Sequence, residues 1–101
     1  MMKTVVQVDF PYKGPFGQEM ATAMAGLAQS IADEPGFIWK IWTENPEAGE
    51  AGGLYLFEDP DSAQRYLEKH TARLQSFGVS DIRGRIFAVN EALTAIDRGP
   101  V

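Results

Sequence analysis

"PGFIWKIWTENPEAGEAGGLYLF", residues 35–57, is the stretch on which the fold turns. It holds both tryptophans, two of the six phenylalanines and one of the three tyrosines. Two runs rich in aromatic and large aliphatic residues flank a segment of Asn, Pro and Gly, the pattern of two strands joined by a turn. The spacing predicts strands over about 37–44 and 53–58, with "NPEAGEAGG" as a hairpin-type connection longer than the tight two-residue kind. A half-buried strand alternates apolar and polar residues. Here Phe37, Trp39 and Ile41 fall on one face while Ile38 and Trp42 fall on the other, so both faces are apolar.

Upstream, "KTVVQVDF" at 3–10 places Val6, Val8 and Phe10 on one side and Val5, Gln7 and Asp9 on the other, a strand of moderate alternation. A Pro- and Gly-rich loop follows. From about Gln18 to Asp33 the period changes: Met20, Ala23, Met24, Leu27, Ala28 and Ile31 recur at three and four residues, the stripe of an amphipathic helix. Pro35 ends it by disfavouring a helical Glu34. Downstream, Asp59-Pro60 reads as an N-cap followed by Pro at the first helical position. The second helix covers about 60–77, with Ala63, Tyr66, Leu67, His70, Leu74 and Phe77 along one side and Gly78 just beyond its end. "DIRGRIFAVN" at 81–90 is a fourth strand, and Asn90 can cap a short last helix, "EALTAI".

The order β-α-β-β-α-β over residues 1–101 is a split βαβ pair, and right-handed crossovers put both helices on one face of an antiparallel four-stranded sheet. This is an α+β, ferredoxin-like arrangement in a single domain. The helices cover one sheet face, which leaves Val5, Ile38, Trp42, Leu54, Leu56 and Phe87 in need of a second cover. An identical sheet from a second chain is the simplest, so a homodimer joined through the sheet face is expected.

Composition narrows the function. The chain has 101 residues, 45% of them hydrophobic and 23% charged, as in ordinary globular proteins. A net charge of −5 argues against a nucleic-acid partner, which would need clustered Lys and Arg. No apolar run approaches the ~18 residues of a membrane span. The N-terminus lacks a signal-peptide pattern, so a cytoplasmic location is expected. With no Cys there is no disulfide, thiolate metal site or Cys nucleophile, and one His excludes a multi-His zinc site within one chain. The glycines of "GEAGG" open a strand instead of a helix, so the dinucleotide-binding context fails. The acidic residues lack ordered metal-ligand spacing, and no metal site is expected.

Four segments carry a resemblance to a known family. "GPFG" (14–17), "EPGFIWKIWTE" (34–44), "EAGGLYLF" (50–57) and "YLEKHTARL" (66–74), in this order and spacing, closely resemble the YdhR family of mono-oxygenases. That family belongs to the dimeric αβ-barrel superfamily, alongside the antibiotic-biosynthesis mono-oxygenases. The resemblance runs from Val5 to about Leu93. It implies a dimeric ferredoxin-like barrel with a pocket between the sheet and the helices of each subunit. It further implies oxygenation of a small aromatic compound, a phenol or hydroquinone that itself supplies the electrons to O₂, with no metal, flavin or other cofactor. Such a protein needs a dry pocket, a group to take a phenolic proton and donors for the developing anion.

Against that need, His70 is the leading catalytic candidate, because an ordinary imidazole titrates near neutral pH and His70 sits on the apolar side of the second helix. The same position suits a satisfied core histidine. Tyr66 and Arg73 flank it on the helix. Arg73 is near enough to share a substrate anion, but its place at the edge of the stripe favours a solvated charge, and Tyr66 is expected in the core with its hydroxyl at the surface. Tyr55 is the partner catalytic candidate, a donor to a bound oxygen. Trp39 and Trp42 are expected on opposite faces, one lining the pocket and one at the dimer seam. Gln7 and Lys40 are polar breaks in apolar strands and count as substrate-binding candidates or as rim residues. Two other functions remain open: a non-catalytic module for an apolar ligand, and haem degradation. Of the Asn, Trp and His that haem-degrading relatives carry, only the His is matched here, by His70.

Overall fold

The computed structural model describes residues 2–101. Its elements are β1 (Thr4–Pro11), α1 (Gly17–Ala32), β2 (Phe37–Asn45), β3 (Glu50–Phe57), α2 (Pro60–Ser76), β4 (Arg83–Ala88) and α3 (Glu91–Ile96). The strands form one antiparallel sheet in the order β2-β3-β1-β4, the βαββαβ arrangement expected from the sequence. No helix is long and apolar enough to cross a membrane, among the described residues.

The local signals are honoured. Asp59 caps α2 by accepting from the Ser62 N–H at 2.8 Å, with Pro60 next to it, and Asn90 caps α3 by accepting from Leu93 N–H at 3.1 Å. Gly78 follows α2 with φ +87°, a conformation that side-chain-bearing residues avoid. The α1 N-terminus has no cap of its own. The Glu44 carboxylate reaches across from β2 and accepts from Gly17 N–H at 3.1 and 3.2 Å, where the helix dipole favours a negative charge.

One face of the sheet is covered by α1 and α2. In β1, Thr4, Val6, Val8 and Phe10 are buried beneath them, while Gln7 on the other face is exposed. Directly paired residues share a face. Val6 pairs with Tyr55, Val8 with Gly53 and Phe10 with Ala51, so this β3 face also looks at the helices. With Met20 and Ile31 of α1 and Ala63, Tyr66 and Leu74 of α2 they make the core.

Three expectations are corrected. The turn between β2 and β3 is confined to residues 46–49, and the glycines at 52 and 53 lie inside β3. Partners on both sides, β1 and β2, hold that segment extended despite the poor strand propensity of glycine. The fourth strand is shorter than the 81–90 expected. The third correction decides the site. Between Phe37 and Trp39 the pairing with β3 slips by one residue, a β-bulge at Ile38. Phe37 therefore points to the helices, edge-on to Phe57 at 5.9 Å between ring centroids, whereas Trp39 and Ile41 point away. Lys40 pairs with Tyr55 and Trp42 with Gly53, so both point to the helices. Trp42 thus leaves the group expected to need a second cover.

The far face carries Val5, Leu54, Ile41 and Phe87, the last two 50% and 41% exposed. Leu56 is on this face yet fully buried, a further correction. Its neighbour Trp39 donates its indole N–H to the Pro100 carbonyl at 2.8 Å, so the C-terminal tail returns to this end of the sheet. At the opposite end Arg83 forms ion pairs with Asp9 and Glu50.

Candidate active site

Between the helices and the sheet lies an apolar cavity of about 160 Å³. The end of β1 and the loop after it contribute Phe10 and Tyr12, α1 contributes Met20, Met24 and Leu27, and α2 contributes His70 and Leu74. The hairpin supplies Lys40, Trp42 and Tyr55. Phe77, expected on the buried stripe of α2, is 66% exposed and stands at the cavity's edge, because the helix ends just before it.

Four polar side chains run in a chain from this cavity into the core. The outermost is Lys40. Its Nζ lies 3.3 Å from the Trp42 ring centroid and 4.6 Å from that of Tyr55. Gly53 makes that path possible: a Cβ there would stand 2.6 Å from Lys40 Cε. Tyr55 is next, its Oη 3.2 Å from His70 Nε2. His70 Nδ1 in turn lies 2.9 Å from Arg73 Nη2. Arginine only donates, so Nδ1 is the accepting nitrogen. A neutral imidazole then carries its proton on Nε2 and donates it to the Tyr55 oxygen. Arg73 Nη2 also reaches the Tyr66 hydroxyl at 3.5 Å, and the Tyr66 ring stacks on His70 at 5.1 Å between centroids.

The electrostatics follow from burial without counter-charge. Burial first, then the Lys40 and Arg73 cations, push the His70 pKa down to about 3, so the ring is neutral at pH 7. Burial, reinforced by Arg73, lowers Lys40 to about 7. Burial and the neighbouring Tyr66 phenol raise Tyr55 far above its ordinary value, which keeps it a hydroxyl. Burial raises Tyr66 to about 12.

The structure gathers Lys40, Trp42, Tyr55, His70, Tyr66 and Arg73 from the sequence candidates, with Tyr66 and Arg73 behind His70 and away from the cavity wall. It separates Gln7 and Trp39, which lie on the other face of the sheet. Two expectations about the helix are revised. The Tyr66 hydroxyl is within the core, the residue being 2% exposed, and the Arg73 guanidinium is turned inward to His70 instead of into solvent. Phe10, Tyr12, Met20, Met24 and Leu27 also line the cavity, and the sequence does not mark them as site residues. Their apolar stripes signal burial, and nothing local distinguishes a cavity wall from a solid core.

Comparison with known proteins places the chain. The family described as "Putative mono-oxygenase ydhR" matches residues 5–100. Among solved structures, SnoaB of Streptomyces nogalater in its N63A form, a cofactor-independent oxygenase, superposes with a TM-score of 0.63 at 18% identity, covering 89% of this chain and 95% of that one. A monooxygenase from the ActVA-Orf6 gene of Streptomyces coelicolor, in complex with Nanaomycin D, gives 0.61 at 17% identity, covering 88% of each chain. A protein of unknown function from Nitrosomonas europaea, NE2512, gives 0.60 at 21% identity, covering 89% of this chain and 91% of that one. At these identities the likeness is one of fold. No curated protein matches significantly.

Proposed function

The chain belongs to the ydhR mono-oxygenase family, and from that premise we propose that it is a cofactor-independent mono-oxygenase of a small phenol- or hydroquinone-like compound. The carrying observation is the apolar cavity whose polar wall, among the described residues, is Lys40, Tyr55 and His70, with the Tyr12 hydroxyl at the loop. Its volume of about 160 Å³ is close to the ~150 Å³ apolar cavity that takes up benzene, so one aromatic ring fits. SnoaB, a cofactor-independent oxygenase of the same fold, supports the reading.

The reaction balances without an outside reductant. A phenol and O₂ give a quinone and water: one oxygen atom enters the ring and the other leaves with the two hydrogens lost. Tyr55, held protonated by its raised pKa, donates to the oxygen anion that forms. His70 positions Tyr55 through its Nε2–H and is itself held by Arg73. Both His70 nitrogens are engaged in this way, which gives the haem reading no support.

The exposed Ile41 and Phe87, with Val5 and Leu54, support a homodimer through the far sheet face. The working location is the cytoplasm.

Oxygen uptake with a panel of phenols and hydroquinones under ¹⁸O₂ tests the activity. One labelled atom per product is expected. Ligand-dependent thermal stabilisation with no oxygen uptake would instead establish a binding module.

A further inference from the structure

Lys40 is a cavity-facing amine without an acidic partner. Among the described residues it forms no ion pair, and no carboxylate lines the cavity. The groups that face it are Trp42 on its own strand, Tyr55 on β3, His70 and Arg73 on α2, and Tyr12 on the loop after β1; α1 offers only Met20, Met24 and Leu27. The surroundings are thus electropositive or neutral and of low dielectric. The ring faces of Trp42 and Tyr55 offset part of the cost of an ammonium there, and a bound anion offsets more of it.

His70 is unsuited to take a proton from the cavity. Its basic nitrogen accepts from Arg73 on the side away from the ligand, and its other nitrogen already bears the proton given to Tyr55. The remaining basic lone pair is that of Lys40.

We propose that Lys40 is the proton acceptor of the cavity, and that a hydroxyl-bearing aromatic enters neutral and is held as its phenolate beside the Lys40 ammonium. The inference rests on the reading of the cavity as a phenol site. In the step the ligand O–H bond breaks, its electron pair stays on oxygen, and a new N–H bond forms at Lys40 Nζ. No oxidant takes part. The pair is mutually stabilising: the phenolate removes the penalty that lowers the Lys40 pKa to about 7 in the empty cavity, and the ammonium lowers that of the phenol. The cavity then selects acidic phenols and enols over alcohols and ethers of equal size, and it delivers the more electron-rich form to O₂.

The probe is 3-nitrophenol, whose phenolate is yellow and whose neutral form is nearly colourless, and whose midpoint lies far enough above that of Lys40 for the amine to be largely neutral in the test. It is mixed with the full-length protein one pH unit below the probe's own midpoint in water. The expected result is a phenolate spectrum for the bound probe, with the ratio of ionised to neutral form raised at least tenfold over buffer. Lys40→Met, which keeps the length of the apolar stem, binds the probe in its neutral form. A wild-type complex that holds the neutral probe, or a phenolate spectrum that survives Lys40→Met, overturns the proposal. Either result alongside oxygen uptake from hydroquinones leaves the oxygenase reading standing. Absence of probe binding together with absence of oxygen uptake removes both.

Discussion

Lys40 and Ile41 are neighbours on β2 and face opposite ways. The lysine points in, under the helices, and the isoleucine points out, 50% exposed. This inverts the usual placement of charge and hydrocarbon, and each half of the inversion teaches something about its face. On the covered face polar groups are held because each touches the next: Lys40 lies over Tyr55, Tyr55 meets His70, and His70 meets Arg73. Burial there turns ordinary side chains into groups with displaced pKa values. On the far face apolar groups stand exposed around a fully buried Leu56, and the polar groups, Gln7 and the Asp9–Arg83–Glu50 ion pairs, have ordinary solvent access. One face gathers interacting polar groups beneath the helices, and the other leaves apolar side chains open to solvent.

The contrast can be broken most severely from the helix side. Tyr66→Ala removes a ring that packs on Tyr55, Phe57 and His70, and denaturant unfolding is expected to show a loss of about 3–5 kcal/mol. Acid attacks the same face through a different group. The His70 pKa is depressed in the fold, so the stability that it contributes is complete above its unfolded pKa of about 6.5 and is lost as pH falls towards 3. Unfolding midpoints between pH 7 and pH 3.5 should fall by the equivalent of about 2–4 kcal/mol more in wild type than in His70→Phe. A His70→Phe variant with an unchanged acid limb would show that another group governs it.

From the far face, Ile41→Asp is expected to weaken the proposed dimer at least 100-fold, about 2.7 kcal/mol, with circular dichroism unchanged. Sedimentation at micromolar concentration measures it, and a wild-type monomer would dispose of the interface altogether. Lys40→Met sharpens the inversion by making both neighbours apolar. It should stabilise the fold by about 1–2 kcal/mol at pH 6, and the gain should shrink as pH rises from 7 to 10, because the half-buried Lys40 loses its charge above about 7. The smallest effect is at the link between the hairpin and α1. Glu44→Gln removes the charge that caps Gly17, and thermal melts should register about 0.5–1 kcal/mol.

Much of the molecule is legible in the sequence. The helix stripe around Tyr66, His70 and Leu74, the Asp59-Pro60 and Asn90 caps and the order of elements along the chain are all matters of local physics: periodicity, side chains that satisfy nearby N–H groups, and the short reach of a turn. The same reasoning finds Tyr55 and His70 but puts the Tyr66 hydroxyl at the surface, Arg73 in solvent and Trp42 away from the helices. Those three depend on partners distant in sequence.

Spacing along single segments is enough to dictate the βαββαβ order, the helix ends and the two-faced apolarity of residues 37–42. Tertiary packing settles which face each aromatic takes and turns Lys40 inward. A single bulge at Ile38 reverses the strand's alternation, and its position is set by the pairing of β2 with β3. The depth of Lys40, the tautomer of His70 and the exposure of Ile41 then follow from what covers each face, a property no single strand possesses.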